Sequence, residues 1–540
     1  MKKSNSAISN SEIKNETTET EKQNNKFKIN TPIFIFLWIA AAVLAFNYSH
    51  VTDNDTFFHL SIGKNILEHG FTTVDPFSMH KLNFTSQEWL SEVVFYLIYK
   101  FFSFTGLYIF QILITALILF TIYKINCLVS CNKKYLSLFV AIICTWLLQY
   151  TFIRIRPQIF TILIFALEIY VLESYLRSKN FKILLCLPVL CVFLANFHIG
   201  AFPMFFVFML PYLADTLFKA DFFKIRAAYF KGSDNKLFKT LLLFLIALLP
   251  FGIINPYGVK KLLYFTSMFN SEITKHVMEW KGPNFNSDFG IIISLTLIIC
   301  SALIIYRLIL TKKLFTLKSL LLFIGLTIMT MFAIRFYSYY ITFFGVALLE
   351  KIEPSAQNVL AKTKNKKKID SSTFGDRVRM VIESKPAAGV LVILVIAVPV
   401  VKTLLGSWEI THYGYYPVKA AEYIKKNTDY KNIRLFNNYD DGGYLMFNGI
   451  KVFVDSRADL YTSQFNPGCT VLSDFADIIS DPENYDALFK KYDFQYILVS
   501  TEMNYDTCLS LKEDKNYELV SEEEVSNGVS YFLYKRLGNR

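Results

Sequence analysis

Charge is scarce in this chain. Of its 540 residues only 19% are Asp, Glu, Lys or Arg, while 53% are hydrophobic and 16% aromatic. A soluble chain of this length carries roughly a quarter charged residues. The deficit excludes a disordered protein, a coiled coil and an ordinary cytosolic enzyme. Cysteine is sparse too. The eight cysteines show no metal-ligand spacing, and six lie in or beside apolar segments, where a thiol usually serves as a small hydrophobe. That excludes a small disulfide-stapled domain. Cys469 and Cys508 fall in the polar C-terminal part, and the sequence leaves their pairing open. There is no internal repeat, and residues 1–29 contain no apolar h-region, so a disordered tail is expected there.

Long apolar runs are what the chain has instead. They recur through its first three quarters, at lengths near or above the ~18 residues that span a bilayer as a helix. The first, 32–48, is followed by nothing resembling a cleavage site, so an uncleaved first span is expected. Further spans are expected at about 107–126, 135–152, 158–176, 183–199, 200–217, 240–254, 290–306, 319–334, 338–350 and 387–406, about eleven in all. An odd number puts the two ends of the chain on opposite sides.

Net charge is +12, and its distribution matches topology better than nucleic-acid binding, because cytoplasmic loops accumulate Lys and Arg. With the N-terminus in the cytoplasm, the inner loops hold Lys133 and Lys134, Arg177 to Lys182, Lys219 to Lys239, Arg307 to Lys313 and the 362–368 cluster. One outer loop, 255–289, goes against the trend with Lys260, Lys261, Lys275 and Lys281. The expected layout is a cytoplasmic tail (1–29), a multi-pass cell-membrane domain (30–406) and an extracytoplasmic α/β domain (407–540). In the last, short β-rich runs mix with helical patterns. Segment 89–104 is apolar but short and carries Glu92 and Lys100, so a surface helix is expected in place of a span.

On this layout all seven histidines, with Arg154, Arg156 and Arg335, fall on the outer side. A polar outer cavity accounts for that asymmetry. The first outer loop, 52–104, is the richest segment. Asp53 and Asp55 form a D-x-D directly after the first span, suited to a general base or to ligation of Mg2+ or Mn2+; a helix cap is the plainer reading. His59 lies one helical turn past Asp55 on the same face. Glu88 beside Trp89 suits hydrogen bonding plus stacking on a sugar, although Trp is also ordinary at membrane interfaces. The guanidinium forks of Arg154, Arg156 and Arg335 match phosphate oxygens, with headgroup snorkelling as the alternative. Asn196-Phe197-His198, Asn255-Pro256-Tyr257-Gly258 and Glu279-Trp280 complete the outer set; Asn-Pro-Tyr-Gly alone reads as a turn.

Together these features resemble the GT-C glycosyltransferases, multi-pass enzymes that use polyprenyl-phosphate-linked sugars, such as the protein O-mannosyltransferase and aminoarabinose-transferase families. The resemblance rests on the acidic motif Asp53-Asn54-Asp55 with two surface "jaw" helices, 57–68 and 89–104. The pieces DNDTFFHLSIGKNIL, VDPFS, EWL, RPQ, NFHIG, NPYG, GGYL and VDSRADLY are similar to a group of bacterial multi-pass membrane proteins and extend from residue 53 to 461. The resemblance implies inverting transfer from a membrane-lipid-borne sugar to a glycan, lipid or protein acceptor. Asp53, with Asp55 beside it, would be the base. His59, Glu88, Trp89, Arg154, Arg156, His198 and Arg335 would bind substrate. A lipid-sugar transporter and a non-catalytic envelope-assembly scaffold are the alternative readings. Glu168, mid-span, is the feature that suits a transporter.

Overall fold

The computed structural model describes residues 31–46, 54–217, 235–262, 278–285, 287–311, 316–350, 416–480, 485–525 and 528–537. The expected tail, Asp53 and the expected span at 387–406 lie outside the described residues. Apolar composition makes the first part a helical bundle: α1 (Thr31–Phe46), α2 (Asn54–His69), α3 (Trp89–Val129), α4 (Lys134–Thr151), α5 (Gln158–Ser178), α6 (Cys186–Phe197), α7 (Phe202–Leu217), α8 (Asn235–Leu248), α9 (Asp288–Thr311), α10 (Leu317–Phe332) and α11 (Tyr337–Leu349). Among the described residues, six helices are long and apolar enough to cross a membrane. Four shorter apolar stretches accompany them, at Phe34–Leu44, Phe181–Phe197, Leu317–Phe332 and Ile334–Leu349. The separate surface helix and span expected around residue 104 form a single kinked element. Ser103, at φ 56° and ψ −160°, breaks α3 into two helices, a backbone state that costs a non-glycine residue about 1–3 kcal/mol.

At the tail end of the bundle, buried charges tie four helices together. Lys318 at the start of α10 reaches Glu173 of α5 at 2.5 Å and Glu350 after α11 at 2.9 Å, and its backbone N–H donates to Asp215 of α7. Pairing of this kind is what makes ionisable groups tolerable at membrane depth.

The opposite, head end carries α2 and the C-terminal part. That part comprises α12 (Val418–Asn427), β1 (Leu435–Phe436), α13 (Gly442–Phe447), α14 (Val471–Ser480), α15 (Tyr485–Lys491), β2 (Tyr496–Ser500), α16 (Tyr505–Glu513), β3 (Tyr517–Glu524) and β4 (Ser530–Arg536). The sheet order is β1-β2-β4-β3, with β1 parallel to β2 and the other pairs antiparallel. All five residues of β2 are buried, as a central strand covered on both faces requires. All eight cysteines are free thiols, so Cys469 and Cys508 do not pair.

Helix α2 joins the two halves because both its faces are apolar. Leu60 packs in the bundle core, while Phe58 and Ile62 pack in the core of the C-terminal part. Phe57 meets Tyr416, Tyr444 and Phe447 edge-on or tilted at 5.0, 5.4 and 5.4 Å. The loop after α2 is laced to the same part. The Met79 N–H donates to the Val452 carbonyl at 2.8 Å, and the Lys451 ammonium donates to the Pro76 carbonyl at 2.7 Å. Arg457 closes the junction. Its guanidinium reaches Asp75 and Asp455, each at 2.7 Å, and all three side chains are buried.

Candidate active site

A cavity of about 840 Å³ lies where the two halves meet. Helix α2 supplies Asp55 and His59, the approach to α3 and its first turn supply Gln87, Glu88 and Glu92, and the turn before α5 and its first residue supply Arg156 and Gln158. Lys261 and Glu279 enter from the segments between α8 and α9, and Tyr439, Asp440, Ser456, Arg457, Asp459 and Gln464 from the C-terminal part.

The spacing of the first acid and His59 on α2 carries both into this wall. Asp55 sits in the first helical turn, where a carboxylate is favoured by the helix dipole. Its Oδ2 lies 3.1 Å from Arg156, whose other terminal nitrogen lies 3.1 Å from Glu279. Arg156 therefore bridges two carboxylates. Asp53 lies outside the described residues, and among those described a second possible metal-ligand grouping stands in the same wall. His59, Glu88 and Glu92 offer ligand atoms that all lie within 4.8 Å of one another. His59 Nδ1 is 3.5 Å from Glu92 Oε1, and the Ser86 hydroxyl donates to the other oxygen of Glu92. Burial, reinforced by Glu92 nearby, holds the Glu88 carboxyl well above the usual range.

His198 stands behind this cluster. Its Nδ1 is hydrogen-bonded with the Thr161 hydroxyl at 2.7 Å and its Nε2 lies 3.7 Å from Glu88. Burial pushes its imidazole down to about 3, with Arg335, His59 and Lys261 adding to the effect. His198 and Trp89 are absent from the lining; the Trp89 indole donates to Asn196 at 2.8 Å and so fixes the start of α3 against the end of α6. Arg154 and Arg335 do not line the cavity either. The guanidinium of Arg335 stacks 4.0 Å above the Trp280 ring, a cation–π contact. Of the three arginines expected to hold phosphate, only Arg156 reaches the wall.

Lys261 is the cation that sequence reasoning missed. It is 1% exposed, and its ammonium makes no hydrogen bond. Burial pulls it down to about 8, against the attraction of Glu88 and Glu92. The Asn-Pro-Tyr-Gly segment positions it: the Asn255 amide spans the Gly252 and Gly258 carbonyls, and Gly258 at φ 58° reverses the chain. The signal was present as a pair of lysines that ran against the expected positive-inside pattern. Glu92 was legible only as an interruption of an apolar run.

No family model matches the chain, and no curated protein matches it. Among solved structures it is similar to the Archaeoglobus fulgidus oligosaccharyltransferase in its apo form, at 11% identity and a TM-score of 0.50 over 88% of this chain and 70% of that one. The likeness is one of fold. The same oligosaccharyltransferase tethered to an acceptor peptide containing the NVT sequon aligns at 12% identity and TM-score 0.49, over 94% and 74%. The form in complex with an inhibitory peptide and a dolichol-phosphate, named AglB, aligns at 11% and 0.48, over 92% and 74%.

Proposed function

We propose that this protein is a membrane glycosyltransferase that moves a sugar, with inversion, from a polyprenyl-phosphate donor to an acceptor on the outer side of the cell membrane. The observation that carries the reading is the junction cavity. It gathers the carboxyls of Asp55, Glu88 and Glu92, the His59 imidazole and the cations Arg156 and Lys261 at one end of a bundle of membrane-length helices. A lipid-borne sugar phosphate presents its anomeric carbon at that depth.

The chemistry needs a base for the acceptor hydroxyl and positive charge for the departing phosphate. Asp53, two residues before Asp55 in the chain, is the proposed base. Asp55, held by Arg156, is its neighbour in the same motif. Lys261 and Arg156 supply the charge for the leaving phosphate. His59, Glu88 and Glu92 fit a divalent cation by donor type, a mixed nitrogen and oxygen set that suits Mn2+ better than Mg2+. A cation held there would add Lewis-acid stabilisation of the leaving oxygens.

The test is to purify the full chain, offer a panel of polyprenyl-phosphate sugars with and without Mn2+, and follow release of polyprenyl phosphate. General-base assistance is worth about 10²–10⁴ in rate, so Asp53→Asn is expected to lose that much turnover while donor binding persists. Lys261→Ala is expected to weaken donor binding as well as rate. Near-normal release by the Asp53→Asn, Asp55→Asn double variant, at normal expression, would end this mechanism. A transporter is the second reading. It is favoured by Glu168, fully buried within α5 with neither carboxylate oxygen hydrogen-bonded. Movement of labelled lipid-sugar without transfer to any acceptor would decide for it.

A further inference from the structure

Buried polar atoms without partners cost about 1–3 kcal/mol each, and native proteins keep them few. Here six of them stand in the wall of the junction cavity. His59 Nδ1, Gln87 Oε1, Gln158 Oε1, Lys261 Nζ, Ser456 Oγ and Gln464 Oε1 are all without a hydrogen bond, and all six residues line that one space. His59 and Lys261 belong to the charged group already described. Gln87, Gln158, Ser456 and Gln464 do not. They are neutral, and the reaction proposed above uses none of them.

Their chemistry narrows the ligand. A glutamine amide both donates and accepts, as does a serine hydroxyl. An apolar ligand would leave all four unsatisfied, and a metal ion would use the carboxylates instead. Groups that donate and accept within a short span match the vicinal hydroxyls of a sugar ring. Their positions add to this. Gln158 follows Arg156 by two residues at the start of α5, and Gln87 precedes Glu88. Gln158 is therefore close in the chain to a cation proposed for the phosphate end, and Gln87 to a carboxyl of the charged group. Ser456 and Gln464 come from the C-terminal part, whose neighbouring Arg457 is fixed by Asp75 and Asp455. The volume, about 840 Å³, lies in the upper half of the ~300–1,000 Å³ range of ligand sites, which leaves room for a ring beside its phosphate.

We infer that Gln158, Ser456 and Gln464 form a hydroxyl-recognition subsite for a neutral glycosyl ring, with the C-terminal part supplying the residues that select it. The inference rests on the glycosyl-transfer reading for the identity of the ring as the donor sugar. The test uses the full chain in detergent and needs no turnover. Thermal shift is measured with a panel of methyl hexosides and pentosides and their single-deoxy analogues. At least one glycoside is expected to protect the wild type. Gln464→Leu and Gln158→Leu are each expected to weaken its apparent affinity about tenfold, the worth of one or two hydrogen bonds, with unliganded melting unchanged. One deoxy analogue should bind wild type more weakly than its parent, yet bind Gln464→Leu as well as the parent does. Gln464→Glu, which keeps an acceptor, is the second variant should Gln464→Leu fold poorly, and it should retain discrimination against that analogue. Absence of protection of the wild type by any glycoside, or unchanged affinities in the Gln158 and Gln464 variants, would overturn the subsite. Protection without release of polyprenyl phosphate would support the subsite and overturn the transfer reading alone.

Discussion

Asp441 precedes the glycine pair of α13 and is 4% exposed. The Tyr531 hydroxyl donates to its Oδ1 at 2.8 Å, while Oδ2 has no partner. Burial pushes its carboxyl up to about 7 from 3.8. The folded state therefore holds this proton up to about pH 7, and the unfolded state only up to 3.8. The resulting stabilisation is complete below pH 3.8 and is lost as the pH rises through 7. Asp441→Asn keeps the acceptor for Tyr531 and stays neutral throughout. It is expected to melt higher than wild type at pH 8, by about 1–4 kcal/mol given ~1.36 kcal/mol per pKa unit, with the gap closing towards pH 4. A constant gap across that range would show that burial does not set this carboxyl. Nothing in the local sequence marks Asp441 apart from its neighbour Asp440, because the difference is burial. The same limit hid Lys261, whose role depends on where the chain reverses at Gly258. Asp55 and His59 were legible because a four-residue spacing on a helix is a geometric statement by itself.

At the scale of elements, the pairing of α2 with the first half of α3 builds the charged wall. Gly63 makes it close. A Cβ at that position would lie 2.1 Å from the Glu92 carbonyl oxygen and 2.9 Å from Tyr96 Cβ. Gly443 does the same for α13, where a Cβ would lie 2.7 Å from the Asn54 carbonyl oxygen. Gly63, within DNDTFFHLSIGKNIL, and Gly443, within GGYL, are thus contact points of one helix with two others, which the linear pattern cannot reveal. The helical period of 57–68 could be read from apolar spacing, and a short surface helix over 89–104 from Glu92 and Lys100, although the kink itself falls at Ser103. Gly63→Ala must push α3 away from α2 by backbone movement. Overpacking of this kind costs about 1–3 kcal/mol, and melting of the purified variant should fall accordingly. His59 lies one turn from Gly63, so the approach of His59 to Glu92 should also open, and any Mn2+ affinity should drop with it. Unchanged melting would mean that the two helices are less tightly apposed.

For the whole molecule, run length and charge distribution made the membrane bundle legible, and the composition change after residue 406 marked the polar C-terminal part. How the two halves lock was not legible, because VDPFS and VDSRADLY are 382 residues apart at their key contact. Folding brings Asp75, Arg457 and Asp455 together in a buried ion triad, completed by the Tyr461 hydroxyl donating to Asp455 at 2.5 Å. Although burial opposes it, the Arg457 guanidinium holds the Asp75 carboxyl below the usual range. The triad binds the loop after α2 to the C-terminal part and so sets the two sides of the cavity relative to each other. Removing one member of a buried pair costs about 3–5 kcal/mol, because the remaining charge is left uncompensated, whereas replacing every charge by neutral groups is often tolerated. Arg457→Leu is therefore expected to loosen the junction, lowering the melting temperature and exposing the segment around residue 79 to limited proteolysis. Asp75→Asn and Asp455→Asn added to it should recover much of that loss. Wild-type proteolysis in Arg457→Leu would show that the apolar contacts of Phe57, Phe58 and Ile62 hold the halves together without the triad.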